Sequence, residues 1–66
     1  MTVTINGEER DVPAGLSVAA LLGHLGMKSD RVAIERNLEI LPRARWHDAA
    51  VQPGDHYEIV QFVGGG

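Results

Sequence analysis

The residues Phe62-Val63-Gly64-Gly65-Gly66 close the sequence. Glycine has no Cβ, so three in a row pass through a slot that would exclude any side chain. Extended, they reach about 10 Å, at ~3.3–3.6 Å per residue. A carboxylate on Gly66 can thus be delivered deep into another protein's active site. Activated there as an acyl-adenylate, it becomes an electrophile. Displacement by sulfur makes a thiocarboxylate, and displacement by an amine makes an isopeptide bond. The tail is then a substrate handle, and its partner does the chemistry. A frayed terminus or a cloning remnant also leaves terminal glycines. Against that, these follow directly on an apolar run, without the serines usual in a linker.

No second constellation competes with the tail. The chain has no cysteine, which excludes disulfides, thiolate zinc sites and iron–sulfur ligation. His24, His47 and His56 lack the HxxxH spacing of a zinc helix, so no metal site is expected. No nucleophile–base set stands out, so an enzyme is not expected. At 66 residues with 44% hydrophobic and 23% charged content, the chain reads as one small globular domain. A net charge of −3 and a pI near 5.4 argue against nucleic acid and suit a basic protein partner. The longest apolar run, Val18 to Leu22, is too short to cross a bilayer. The first residues lack the basic segment of a signal peptide, and a cytoplasmic location is the expectation.

The elements that position the tail follow from periodicity. Val3 and Ile5 alternate with Thr2 and Thr4 as a half-buried strand. Asn6-Gly7 predicts a hairpin, with Glu9 to Val12 returning antiparallel. Ser17 is a candidate N-cap. Val18, Leu21, Leu22 and Leu25 form one helical face, and Gly26 is the stop. Gly23 is explicable only by close packing of the helix on a sheet. Val32 and Ile34 make a third strand, followed by a tight turn over Arg36-Asn37-Leu38-Glu39 with Asn37 left-handed. Ile40-Leu41 form a short fourth strand ended by Pro42. Pro53-Gly54 suits a type II turn, and His56 to Val63 is the longest strand.

Hairpin, helix, two strands, loop and strand predict an α+β fold of the β-grasp type. A mixed sheet of four to five strands packs on one helix, with the last strand central beside the first. Residues 1–63 are the expected domain and residues 64–66 a flexible tail. The predicted core is Val3, Ile5, Val18, Leu21, Leu22, Leu25, Val32, Ile34, Tyr57 and Ile59. Tyr57 and Ile59 then face the helix, whereas His56, Glu58, Val60 and Phe62 lie on the open face. Exposed apolar residues beside a functional terminus predict a docking patch of Phe62, Val60 and Glu58. Trp46 is expected to cover the end of the core. Arg43 and Arg45 either pair with acidic partner groups or are solvated. The three histidines are expected at the surface. Lys28 is the only lysine, which makes the chain a poor candidate for chain-building modification.

With those residues in place, the sequence resembles the ThiS sulfur carriers of thiamine biosynthesis, within the ubiquitin-like β-grasp group. The Gly-Gly terminus is shared with MoaD-type carriers and ubiquitin-like modifiers. More discriminating is Ile40-Leu41-Pro42-Arg43-Ala44-Arg45-Trp46, similar to the hydrophobic-hydrophobic-Pro-Arg-x-x-Trp segment of the family. Ser17 to Leu22 and Pro53-Gly54-Asp55 through Ile59 also fit. One departure is Leu38, where many relatives carry glycine after the asparagine; Leu38 is expected to avoid positive φ. The resemblance implies that a ThiF-type enzyme uses ATP to adenylate Gly66 and that the carboxylate then becomes a thiocarboxylate. A sulfur donor protein supplies the sulfur, and a ThiG-type thiazole synthase receives it. Gly65 and Gly64 give clearance, and no cofactor is bound by the carrier itself. The alternatives are a MoaD-like carrier for molybdopterin or another sulfur metabolite, a ubiquitin-like protein modifier, and a plain interaction module with inert glycines.

Overall fold

The structure, a computed structural model, describes residues 1–62. Strand β1 (Thr2–Ile5) and strand β2 (Glu8–Asp11) pair antiparallel from Thr2↔Asp11 to Ile5↔Glu8. Asn6 and Gly7, with φ of 53° and 80°, make the two-residue turn whose twist matches a hairpin. That turn sets Glu8 opposite Ile5, so β2 begins one residue before the expected Glu9 and ends before Val12. Val12 instead packs into the core beyond the strand. All four residues of β2 are charged and exposed, which discourages pairing along this edge.

Helix α1 (Val18–His24) starts at Ser17, whose Oγ accepts from the Ala20 N–H at 3.1 Å. The Val18 and Ala19 amides donate to the carbonyls of Ala49 and Trp46 at 2.8 and 3.0 Å. The first-turn donors that a helix leaves unpaired are thus met by one side chain and one loop. Val18, Leu21 and Leu22 are buried. Leu25, expected in the core, is the C-cap and only partly buried against it. Gly26 stops the helix at φ 75°. Gly23 does not pack closely: it is exposed, and a Cβ built there meets nothing within 4 Å. The expectation of close packing at this position is therefore wrong.

A single 3₁₀ turn, Ser29–Arg31, leads into β3 (Val32–Arg36), which pairs antiparallel with β4 (Glu39–Ile40). Asn37 is left-handed as expected, at φ 51°, but Leu38 does not avoid that region and lies at φ 72°. The pairing of Arg36 with Glu39 leaves two residues to reverse the chain, and a two-residue turn of this hand needs positive φ at both. For a residue with a Cβ this costs about 1–2 kcal/mol. The expected strand Ile40-Leu41 sits one residue earlier, although the Leu41 amide still donates to Ile34 O at 2.9 Å.

A second 3₁₀ turn, Arg43–Arg45, opens the segment that returns to β5 (His56–Gln61). Trp46, Ala49 and Val51 from this segment are buried, as is Leu41 just before it. The Asp55 amide donates to Gln52 O at 3.1 Å across Pro53 and a Gly54 at φ 81°, the geometry of the expected type II turn. The sheet order is β2-β1-β5-β3-β4, with β1 and β5 parallel and the other pairs antiparallel. One helix packs on a five-stranded mixed sheet with β5 at its centre, as the periodicity predicts. The expected continuation of β5 to Val63 lies outside the described residues.

Leu21, with no exposed surface, should cost about 2–5 kcal/mol when replaced by alanine. Gly23→Ala should instead stabilise the chain by about 0.5–1 kcal/mol. Chemical denaturation of the two variants checks both; a destabilising alanine at position 23 would restore the packing role.

Candidate functional site

Two asparagine side chains hold β5 in place. Asn6 Oδ1 accepts from the Ile59 amide at 2.7 Å, and its Nδ2 donates to Ile59 O at 3.1 Å. Here β1 has already turned away, so the carboxamide stands in for a missing strand residue. On the opposite edge Asn37 Oδ1 accepts from the His56 amide at 2.9 Å, while the Asn37 amide donates to His56 O at 2.8 Å. At the far end of β5 the Phe62 amide donates to Arg31 O at 2.7 Å. Phe62, the last described residue, is therefore anchored through its main chain.

Beneath Asn37 lies a buried polar group. Asp55, only 7% exposed, accepts from Tyr57 OH at 2.9 Å, from the Gln52 amide at 2.9 Å and from Asn37 Nδ2 at 3.3 Å. Burial pushes its carboxyl up, but those three hydrogen bonds and the charge of Arg36 outweigh it and hold the pKa below the ordinary value. Tyr57 moves the other way: burial, then the hydrogen bond to Asp55 and its charge, push the phenol well above 10. Asp55 thus ties the turn at 37–38 to the start of β5. The sequence reading passed over this role; the Pro-Gly-Asp-x-Tyr spacing, with an acid after a turn and two residues before a core tyrosine, was the available signal.

The face of the sheet away from α1 carries the expected docking residues. Val60 and Phe62 are 58% and 55% exposed, and Glu58 is exposed between Val60 and His56. The register places Ala33 opposite Val60, Glu35 opposite Glu58 and Ile40 opposite Glu35. A shallow apolar depression of about 180 Å³ runs among Ala33, Ile40 and Val60, with Glu35 and Glu58 at its rim. Leu38 and Ile40, at 92% and 78% exposure, add apolar surface that the sequence reading did not assign to the patch. The four large apolar residues exposed among the described residues all lie on or beside β3, β4 and β5, and β2 contributes charge alone.

Other candidates sort cleanly. Trp46 is buried and its Nε1 donates to Leu41 O at 2.9 Å, the structural role expected of it. Arg43 is neither simply solvated nor held for an acidic partner. Its guanidinium lies 4.8 Å from the centre of the Trp46 ring and donates to the carbonyls of Ser29 and Val32, so it joins the two 3₁₀ turns. His24, His47 and His56 are exposed, as expected. Among the described residues no group of three His, Cys, Asp or Glu could hold a metal ion, and no helix is long and apolar enough to cross a membrane. Gly64, Gly65 and Gly66, on which the tail expectation rests, lie outside the described residues.

Comparison with known proteins bears on this arrangement as a whole. The model of the ThiS family matches residues 3–66. The chain is 54% identical over all 66 residues to a thiazole synthase of Paramagnetospirillum magneticum, and covers 20% of that protein. It thus spans about a fifth of that relative's length, and also 20% of a thiazole synthase of Magnetococcus marinus at 36% identity. It is 32% identical over its full length and that of the sulfur carrier protein ThiS of Escherichia coli K12. A crystal structure of the ThiS protein of Geobacter metallireducens superposes with a TM-score of 0.84 at 35% identity, covering 100% of both chains.

The buried Asp55 generates a pH prediction. Its folded pKa lies below the ordinary 3.8, so its contribution is complete above that value and is lost as pH falls through the folded pKa. Asp55→Asn should destabilise the protein at neutral pH, and the gap to wild type should close on acidification below 3.8. Denaturant titrations across that range measure it; a gap that is constant with pH would mean that the carboxylate charge contributes nothing.

Proposed function

The chain belongs to the ThiS family, and on that premise we propose that it is a sulfur carrier for thiamine thiazole formation. It acts as a co-substrate and not as an enzyme. The observation that carries this reading is the family match, which runs through Gly66. The reading requires a free carboxylate on Gly66. One oxygen of that carboxylate attacks the α-phosphate of ATP on a ThiF-type enzyme, and pyrophosphate leaves. The resulting mixed anhydride is attacked at its carbonyl carbon by sulfur from a donor protein. That sulfur is the outer atom of a persulfide on the donor, and AMP departs to leave an acyl disulfide. A second thiol attacks the donor-side sulfur, so that a new disulfide forms and the thiocarboxylate is the leaving group. Thiazole synthase then takes the sulfur.

Residues 1–63 serve as the domain in this scheme and residues 64–66 as the tail. Gly64 and Gly65 give the clearance that a side chain would deny. Phe62, Val60 and Glu58 grip the partner. Their exposure supports this role, as does the main-chain bond that fixes Phe62 to Arg31 O. A partner holding Phe62 fixes the origin of the tail and offsets part of the entropy lost in ordering three glycines.

Incubation with ATP, the adenylating enzyme and the sulfur donor should raise the intact mass by the difference between one sulfur and one oxygen. A protein conjugate in place of that species would make the chain a modifier. Deleting Gly66, or appending one residue, should abolish the shift with the fold intact, because misplacement by ~1 Å can cost about 10²-fold. Normal adenylation of an untrimmed extended variant would refute the handle. Phe62→Ala should weaken binding to the adenylating enzyme by more than ~1 kcal/mol with little loss of stability. The reverse pattern would place Phe62 among the core residues.

A further inference from the structure

The chain builds the same turn twice. Asn6-Gly7 joins β1 to β2 with φ of 53° and 80°, and Asn37-Leu38 joins β3 to β4 with φ of 51° and 72°. In both, the asparagine bonds to β5 through its side chain. The second position is glycine in one turn and leucine in the other. Leucine there is strained by its Cβ, and its side chain is 92% exposed. Among the described residues no contact of the side chain offsets either cost.

Both are recovered if the side chain is covered by a partner. Resting on the function proposed above, we propose that Leu38 is a docking residue that inserts into an apolar recess of thiazole synthase. Three observations define the fit. Ile40 and the depression between Ala33 and Val60 continue the apolar surface from the hairpin across the open face. Glu35 and Glu58 are exposed at its rim, which calls for basic side chains around the recess. The mutual hydrogen bonds of Asn37 and His56 place the turn at the start of β5, and Phe62 lies at the other end. Six residues of strand separate the two ends, about 20 Å, so one partner touching both covers the face from Phe62 to the hairpin.

Thiazole synthase is favoured over the adenylating enzyme because a stretch 54% identical to this chain is part of a protein of that name. In such a protein the carrier-like stretch and the rest share one polypeptide, and a permanently neighbouring surface can shelter an exposed leucine.

The test compares Leu38→Gly and Leu38→Ala with wild type, using the full chain and the thiazole synthase of the same organism. Leu38→Gly relieves the turn and should raise the melting temperature. Leu38→Ala keeps the Cβ and removes the isobutyl contact. Both should raise the Kd for thiazole synthase about tenfold and leave the adenylation rate unchanged. Wild-type affinity in both variants overturns the proposal, as does a defect confined to adenylation. A wild-type dimer that Leu38→Gly dissociates would assign the contact to a second copy and overturn it too. If wild type itself binds no thiazole synthase, the functional reading falls with it; if wild type binds and the variants bind equally, only Leu38 is wrong.

Discussion

Strand β5 needs hydrogen-bonding partners along both edges, and its parallel neighbour is too short to supply them. The pairing with β1 spans Thr4↔His56 and Ile5↔Tyr57 only, whereas β3 pairs across five residues. A buried donor or acceptor left unpaired costs about 1–3 kcal/mol, and Ile59 would lose both. The Asn6 carboxamide prevents this while its own backbone turns toward β2. One asparagine thus reverses a hairpin and completes a ladder, and Asn37 does the same across the sheet. The platform on which the open-face patch stands depends on these two side chains as much as on β-strand pairing.

The helix side obeys a related economy. Seven residues are too few for a helix to persist alone. Here the loop after Arg45 supplies two carbonyls to the first turn and buries Ala49 and Val51 beside it. Arg43 ties that loop back to the segment entering β3 through the Ser29 and Val32 carbonyls. A stretch with almost no regular structure therefore links the helix to the sheet, and its polar groups are spent on the backbone. The acidic surface around the patch remains available for association.

Period-two and helical spacing were sufficient to place Val3, Ile5, Leu21, Leu22, Tyr57 and Ile59 in the core and Val60 and Phe62 outside it, because burial alternates with the backbone geometry that generates those periods. The central place of the last strand beside the first was legible as well, since two hairpins flanking one helix, with a long strand after them, leave few ways to close a sheet. What was not legible depends on contacts distant in sequence. Asn6 meets Ile59 across 53 residues and Asn37 meets Asp55 across 18, and neither pairing leaves a periodic trace. Leu38 was misread for a different reason. Local preference forbids positive φ to leucine, but the register of Arg36 with Glu39 imposes it. Gly23 was misread because a glycine inside a helix suggests a close neighbour, and none exists among the described residues.

The placement of the single tryptophan has an optical consequence. Its indole is 3% exposed, bonded to a main-chain carbonyl and overlaid by a guanidinium, an environment that exists only while the loop, the helix start and the sheet are assembled. Its main-chain carbonyl accepts from the Ala19 amide on the helix side, and the carbonyl its Nε1 bonds belongs to Leu41, the neighbour of Ile40 in the exposed patch. Native fluorescence therefore reports the integrity of the core. Any change in emission that accompanies binding over the open face signals a rearrangement passed from Ile40 through Leu41 to the indole.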